Sequence, residues 1–214
     1  LGEVAASQSK APSAEAGSAG AAVGASVAAS ASSGGGGAGA ALSSSRAVPE
    51  AVVQAARRGD EDAAPAWLDG GGRVNATFVY VFSDGPTSGM TLLMLAMTRG
   101  REGLVEALLQ RGADVSLQTS HGTTALMLAA GNGREKLVEL ALRRGAAIDL
   151  QSNTGDTALM RAAFHGRPAA LLCLLRAGAD VTLCTTSGKT ALQFAKEKGR
   201  AECVRALEEH AAAE

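Results

Sequence analysis

The sequence predicts an all-α solenoid, in which short helix–turn–helix units stack side by side behind a disordered tail. Three observations predict it. Glycines recur every 33 residues from Gly89 onward, and apolar residues at helical spacing follow each of them. The first 47 residues, by contrast, are mostly small side chains. A pair of such short helices cannot bury its apolar face alone, so each unit must pack on its neighbours.

The N-terminal segment has the composition of a tail. Residues 1–47 include 16 Ala, 11 Ser and 9 Gly, with four charged side chains and no aromatic one. Ordering a residue costs roughly 1–2 kcal/mol of backbone entropy, and this segment has too little apolar surface to offset that cost. We therefore expect 1–47 to be a disordered linker or tail and 48–214 to be the folded domain. Because the chain begins with Leu1 rather than Met, we also expect a fragment or a processed form.

Charge and cysteine content narrow the class of protein. The chain carries 20 basic and 21 acidic residues, a balance that disfavours nucleic-acid binding, which needs a basic face. Its three cysteines have no paired spacing, so we expect an intracellular protein, cytoplasmic or nuclear, rather than a secreted disulfide framework. No stretch is long and apolar enough to span a bilayer. We expect no membrane insertion and a monomer when the chain is alone.

Five residue types at fixed positions define the repeat. Two residues after each period-setting glycine comes a threonine, four after it a leucine and seven after it an alanine; eleven after it, glycine recurs and is followed by arginine. The period-setting glycines are Gly89, Gly122, Gly155 and Gly188. The glycine–arginine pairs are Gly100-Arg101, Gly133-Arg134, Gly166-Arg167 and Gly199-Arg200. So many coincidences at one period make the repeat the strongest signal in the chain.

Each unit predicts two helices. An apolar run over 124–130 follows Thr124, whose hydroxyl can accept a hydrogen bond from an unpaired N–H of the first turn. Gly133 ends this helix, because only glycine adopts the left-handed conformation of a helix end at little energetic cost. Residues 134–146 place apolar side chains at i, i+3, i+4 and i+7, the pattern of an amphipathic second helix. Pro168 lies near the start of the second helix of its unit, where its missing N–H costs nothing. Glycines close the second helices: Gly112, Gly145 and Gly178.

These motifs resemble ankyrin repeats over residues 86–214. The family's opening pattern appears as GMTLLMLAM, GTTALMLAA, GDTALMRAA and GKTALQFAK, and its closing pattern as LLQRGADV and LLRAGADV. The resemblance implies an ankyrin-repeat solenoid with short β-hairpin loops. Its units would be 86–118, 119–151, 152–184 and 185–214. The family's histidine, which hydrogen-bonds adjacent repeats, is replaced by Met94, Met127, Met160 and Gln193, so we expect more purely apolar contacts between units.

The two ends of the array depart from the period. Residues 48–85 fit a degenerate first unit with helices at 49–57 and 60–68, followed by an insertion of eight residues. Over 76–88, Phe78, Tyr80 and Phe82 alternate and an Asp84-Gly85-Pro86 turn follows, which predicts a β-finger. Its aromatic side chains either pack over the first unit and Trp67 or form a partner-binding edge. At the other end, Glu208 and Glu209 stand where inner units have leucine, as a terminal cap requires.

Signatures of catalysis or of metal binding are absent from the sequence. No Cys-x-x-Cys, His-Glu-x-x-His or Gly-x-Ser-x-Gly occurs, and the GNG of 131–133 lies at a turn between helices. Cys173 and Cys203 fall on second helices, where small core residues belong, and Cys184 falls in a loop. We therefore expect no catalytic activity, no cofactor and no metal site.

The resemblance implies that a partner protein binds the concave surface, which is made by loop tips and first helices. The residues at these positions vary from unit to unit although the framework does not, so we expect them to face solvent: Met90, Thr98, Arg99, Thr123, Asn132, Asp156, Phe164, His165, Lys189, Glu197 and Lys198. Phe164 is the expected anchor, because aromatic residues dominate interface energetics. The predicted function is a scaffold or adaptor; the alternative is a regulatory or targeting segment of a larger enzyme or channel.

Overall fold

The computed structural model describes residues 47–82 and 85–212. The predicted tail therefore lies outside the described residues apart from Ala47, as do Ser83 and Asp84 of the predicted turn. The described residues form ten helices and one two-stranded antiparallel sheet. In chain order the helices are α1 (Glu50–Arg58), α2 (Ala63–Asp69), α3 (Leu92–Arg99), α4 (Glu102–Gln110), α5 (Ala125–Gly131), α6 (Glu135–Arg143), α7 (Ala158–His165), α8 (Pro168–Arg176), α9 (Ala191–Glu197) and α10 (Ala201–Ala211), with strands β1 (Thr77–Phe82) and β2 (Gly85–Thr91) between α2 and α3.

Threonine begins the first helix of every unit from the second onward, as predicted. The hydroxyl of Thr157, for example, accepts a hydrogen bond from the N–H of Met160 at 3.3 Å. The other threonine caps are Thr91, Thr124 and Thr190. Two first helices have a reciprocal contact as well, because the side chains of Met127 and Gln193 accept from the N–H of the capping threonine. Helix α1 follows Pro49 and has no side-chain cap.

The first unit is shorter in its second helix than the sequence predicts. Residues 60–68 were expected to be helical, but α2 begins only at Ala63. The carboxylate of Asp60 accepts hydrogen bonds from the N–H groups of Asp62 and Ala63, both at 3.1 Å. Because an aspartate that bonds the backbone two or three residues ahead favours a turn over a helix, the helix starts late.

The core lies between stacked first helices and the second helices that cover them. Helix α3 packs against α5, α5 against α7, and α7 against α9, and all residues of α3 from Leu92 to Met97 are at most 1% exposed. Second helices bury one face only, as α6 does with Leu137, Val138 and Ala141. In α10, Leu207 is buried while Glu208 and Glu209 are exposed, so the predicted polar outer face is present at this end.

Arginine side chains join each unit to the one before it. The guanidinium of Arg101 covers Gly59, where a Cβ atom would lie 2.6 Å from Cζ, and its Nη2 donates to the carbonyl of Arg58 at 3.4 Å. The same arginine of later units covers the same glycine one unit earlier: Arg134 over Gly100, Arg167 over Gly133, and Arg200 over Gly166. These arginines lie at the carbonyl ends of the first helices, where cations are favoured.

Hydrogen bonds also connect the loop tips of adjacent units. The N–H of Ser120 donates to the carbonyl of Ser88 at 2.9 Å, and that of Asn153 to the carbonyl of His121 at 3.0 Å. The N–H of Thr186 donates to the carbonyl of Thr154 at 3.0 Å. The expectation of more purely apolar contacts between units therefore does not extend to the loop tips.

The insertion forms the predicted β-finger. Strands β1 and β2 pair with Phe78 opposite Met90 and Tyr80 opposite Thr87, so β2 contains one extra residue between these pairs. Gly89 lies in this bulge with φ +78°, a conformation that favours glycine. The alternation is also as predicted, since Phe78 and Tyr80 are buried whereas Val79 and Val81 are 61% and 70% exposed.

Candidate functional site: a groove along the first helices

A groove of about 730 Å³ runs along the first helices between the β-finger and α7, within the size range of ligand sites. Its walls come from the finger, from the ends of α3, α5 and α7, and from the loop tips that precede α5 and α7. Its lining residues are Tyr80, Phe82, Thr87, Met90, Thr98, Arg99, Thr119, His121, Thr123, Met127, Leu128, Gly131, Asn132, Asn153, Thr154, Arg161, His165 and Arg167.

The finger forms one wall of the groove and is fastened to the helices by Tyr80. The Tyr80 hydroxyl accepts a hydrogen bond from Nη2 of Arg99 at 2.8 Å. Cζ of Arg57 lies 5.3 Å from the centroid of the Tyr80 ring, within cation–π distance. The Phe82 ring lies 4.6 Å from the Tyr80 ring, centroid to centroid. The wall is therefore fixed by contacts to both α1 and α3.

Polar and small groups at the end of α5 form the floor of the groove. Asn132 is exposed, and its Nδ2 donates to the carbonyl of Leu128 at 2.8 Å, which holds the side chain against the helix end. Gly131 lies close against α7, because a Cβ atom at this position would lie only 3.3 Å from Cδ2 of His165. The absence of a side chain therefore lets the last turn of α5 approach α7.

The far wall of the groove is basic. Arg161 is one-third exposed, and its Nη2 lies 3.9 Å from the Asp156 carboxylate. Arg167 is exposed, and its Nε donates to the carbonyl of Gly131 at 3.3 Å. Burial lowers the pKa of His165 below its usual 6.5, and the charges of Arg161, Arg167 and Arg200 lower it further. His165 is therefore neutral at pH 7 in a region of positive potential.

A family model described as ankyrin repeats matches the sequence in three overlapping copies, over residues 52–152, 93–185 and 159–214. Together these matches cover most of the chain, and the stacked helix pairs agree with them. The chain belongs to the ankyrin-repeat family. No curated protein was found to match the sequence. Ankyrin repeats are generally protein–protein interaction modules, and within the described residues there is no helix long and apolar enough to cross a membrane.

The groove of this ankyrin-repeat chain brings together most of the residues predicted at its surface. Eight of those predicted residues line it: Tyr80, Phe82, Met90, Thr98, Arg99, Thr123, Asn132 and His165. The others lie outside it: Phe78, Asp156, Phe164, Lys189, Glu197 and Lys198. Their role in partner binding stays a prediction.

Two of the predicted solvent-facing residues are in fact buried. Met90 has none of its surface exposed, because it lies in β2 opposite Phe78. Thr123 is 7% exposed, and its N–H donates to the hydroxyl of Thr119 at 3.2 Å. The prediction that these two side chains face solvent is wrong. Variation between units identifies an exposed position only where the neighbouring elements are the same in each unit.

Phe164 lies beside the groove rather than in it. Its ring is 36% exposed and packs edge-on against Phe194 at 5.7 Å and His165 at 5.0 Å. Nζ of Lys198 lies 4.6 Å from its centroid. Lys189 pairs with Glu197 at 2.7 Å on the same side of α9. These residues form a second, aromatic and charged surface next to the groove.

Sequence reasoning missed Arg161, which gives the far wall its charge. In the other three regular units the same position of the first helix holds Leu95, Leu128 or Phe194. An arginine at a helix position that is apolar in the other units was the available signal. His121 and Arg167, also in the lining, were missed as well.

The cysteines lie away from the groove. Burial and the nearby carboxylates of Glu135 and Glu139 raise the pKa of the Cys173 thiol to about 11, and its Sγ lies 3.6 and 3.7 Å from their oxygens. Burial raises the pKa of Cys203, whereas Cys184 is exposed in a loop. Glu135, Glu139 and Cys173 place three potential ligand atoms within 4.8 Å of one another.

Proposed function

We propose that this ankyrin-repeat chain is a scaffold or adaptor that binds a partner protein in the groove along its first helices, and that it catalyses no reaction itself. The observation that carries the proposal is the groove of about 730 Å³, whose lining combines aromatic, arginine and amide side chains. Tyrosine and arginine are the residues most enriched among those that dominate protein–protein binding energy.

The rigidity of the groove supports the proposal. Tyr80 is fixed by Arg57 and Arg99, Asn132 by a carbonyl of its own helix, and the loop tips by backbone hydrogen bonds. Side chains that are already ordered lose little entropy when a partner binds, so more of the contact energy contributes to affinity.

The chemistry of the lining supports the absence of catalysis. Among the described residues, no carboxylate or thiol lines the groove. The lining therefore offers neither a carboxylate as general base nor a cysteine as nucleophile. The raised pKa values of Cys173 and Cys203 keep both thiols protonated near pH 7, and the thiolate is the reactive form.

Site-specific photo-crosslinking tests the location of binding. A benzophenone amino acid replaces His121, an exposed residue of the groove, or Arg144, an exposed residue at the end of α6. We expect the partner protein to crosslink at position 121 and not at position 144. Asn132→Trp, which fills the groove, should abolish the crosslink at position 121. Crosslinks that persist with Asn132→Trp, or that form equally at 144, would contradict the proposal.

A further inference from the structure

The groove concentrates positive charge although the chain as a whole has a net charge of −1. Three arginines line it, and no acidic residue of the described chain does: Arg99, Arg161 and Arg167. Each arginine is always charged near neutral pH. Like charges gathered in one concave site attract a ligand of opposite charge and disfavour a basic one.

The arginine of the far wall has donors that the fold does not use. The Nε–H of Arg161 has no acceptor among the described residues, and Nη2 lies 3.9 Å from Asp156, which is beyond hydrogen-bond distance. The Asp156 carboxylate instead accepts from the hydroxyl of Thr154 at 2.8 Å. The terminal nitrogens of this one-third-exposed side chain are thus able to bind an incoming carboxylate.

A second arginine stands at the opposite wall. Arg99 uses one donor for the Tyr80 hydroxyl, and a guanidinium has five N–H donors. Its guanidinium is therefore held in place by the finger while most of its hydrogen-bonding capacity remains. The two walls offer separate cationic sites with polar residues between them, such as Thr98 and Asn132.

The distance between these sites matches a short extended peptide. Arg99 is on α3 and Arg161 on α7, with α5 packed between them. Packed helices lie about 8–10 Å apart, so the two arginines are separated by about 16–20 Å along the stack. An extended chain advances about 3.3 Å per residue, which corresponds to about five or six residues.

We propose that the groove takes an extended acidic segment of a partner protein, with one carboxylate at Arg99 and a second, about five or six residues away, at Arg161. This inference rests on the function proposed above, since it names the chemistry of the partner at the same groove. Residues 1–46 of the chain itself do not fit, because Glu3 and Glu15 are their only acidic residues and lie twelve positions apart.

Peptide selection followed by binding measurements tests the inference. A display library of random peptides of about twelve residues, long enough to cover the groove at 3.3 Å per residue, is selected on the full chain. Selected peptides are synthesised with a fluorophore, and their affinities are measured by polarisation. The variants are Arg161→Leu, which restores the residue type of Leu95 and Leu128, Asn132→Trp, and Arg144→Leu as a charge-matched control on an exposed residue outside the groove.

We expect the selected peptides to be enriched in acidic pairs at that spacing. Arg161→Leu should weaken their binding about tenfold, because hydrogen bonds to a charged partner are lost, whereas Arg144→Leu should change it by less than about twofold. Raising NaCl from about 50 to about 200 mM should weaken binding to the wild type more than to Arg161→Leu. Changing the acidic residues of the peptide to their amides should weaken binding as Arg161→Leu does.

Each contrary outcome has a distinct meaning. Peptides that are neutral or basic, yet sensitive to Asn132→Trp, would overturn the acidic partner and leave groove binding standing. Peptides insensitive to Asn132→Trp would overturn groove binding and the inference with it, as would a selection that yields no peptide. Binding only after phosphoserine replaces the acidic residues, or tighter groove binding of a poly(dT) oligonucleotide, would overturn the carboxylate partner. If Arg161→Leu alters thermal unfolding, Arg161→Gln takes its place.

Discussion

The regular units at 119–184 and the N-terminal end at 48–91 use the same repeat glycine differently. In the regular part, Gly155 closes a short turn, and its N–H donates to the carbonyl of Ser152 at 2.9 Å. At the N-terminal end, the equivalent Gly89 lies in the bulge of a longer hairpin. One left-handed residue thus permits either a tight loop tip or a finger that extends over the groove.

The two regions also differ in what holds them. The regular part is held by contacts that recur at every junction, such as the loop-tip hydrogen bonds and the arginine–glycine contacts. The N-terminal end has one recurring contact, Arg101 over Gly59. It also has contacts that occur once, above all Tyr80 between Arg57 and Arg99. Recurring contacts build the scaffold, and the single contacts shape the site.

The largest effect is expected in the core of the regular part. Leu159 is 1% exposed in α7, and Leu159→Ala should lower the free energy of unfolding by about 3 kcal/mol, because it leaves a cavity between stacked helices. Val53→Ala, in α1 of the N-terminal end, should cost about 1–2 kcal/mol, since fewer buried atoms are removed. Urea denaturation measures both, with the exposed Leu172→Ala as control; equal losses at Leu159 and Val53 would show that the cost does not follow the number of buried atoms removed.

An effect of similar or smaller size is expected at the repeat glycines. Gly155→Ala places a Cβ atom 2.8 Å from Cα of Thr185, at φ +80°, whereas Gly188 has a similar φ of +76° and open space around it. Both variants pay about 1–2 kcal/mol for the left-handed conformation. Gly155→Ala should cost about 1–2 kcal/mol more, because the backbone it meets cannot move freely. Gly89→Ala, with its Cβ 3.3 Å from Cα of Thr119, should fall between them; the order is read from thermal unfolding.

Loss of a helix cap should follow in size. Thr157→Ala removes the acceptor for the N–H of Met160 and should lower the free energy of unfolding by about 1 kcal/mol. Pro49→Ala at the N-terminal end removes no cap hydrogen bond and should have a clearly smaller effect. If the two variants unfold at the same urea concentration, the threonine caps contribute little.

A local effect is expected for the finger. Tyr80→Phe removes the acceptor for Arg99 and should lower stability by about 0.5–1 kcal/mol. Hydrogen exchange of the β1 amides should accelerate while that of the α7 amides stays unchanged, because only the N-terminal end depends on this contact. Faster exchange in both regions would show that the finger supports the whole stack.

The smallest effect concerns pH. The pKa of His165 is lowered in the folded state by burial and by three arginines, so the unfolded chain takes up a proton near pH 6.5 before the folded one does. Stability should therefore fall slightly as pH decreases through about 6.5. His165→Asn should remove that part of the pH dependence, as measured by urea denaturation at a series of pH values. An unchanged dependence would contradict this origin.

Most of the regular fold could be predicted because its determinants are local. Threonine caps and left-handed glycines fix helix ends within a few residues, and these residues recur at one period. The finger was also predictable, since alternating aromatic residues and a turn signal stand in a single short segment. Helix α2 was less so, because one aspartate side chain competes for its first turn.

The candidate site was only half predictable, because it depends on which elements face each other. Nothing in the sequence shows that Met90 belongs to the second strand of the finger and lies opposite Phe78, so its burial was missed. Arg161 occupies a position of the first helix that is apolar in the other regular units. Its importance follows only from its location across the groove from Arg99. Local patterns determine the units, whereas the shape of the groove arises from contacts between units.

The arginine–glycine contact makes the junctions interchangeable. Because Arg134, Arg167 and Arg200 each cover the same glycine of the preceding unit, deleting or duplicating one block of 33 residues would join surfaces that already match. Length can therefore change in whole units without a new interface having to be optimised. The groove does not tolerate such a change equally well, because the finger occurs only once. If a unit were deleted or added, the finger would stay as one wall, but a different unit would supply the opposite wall.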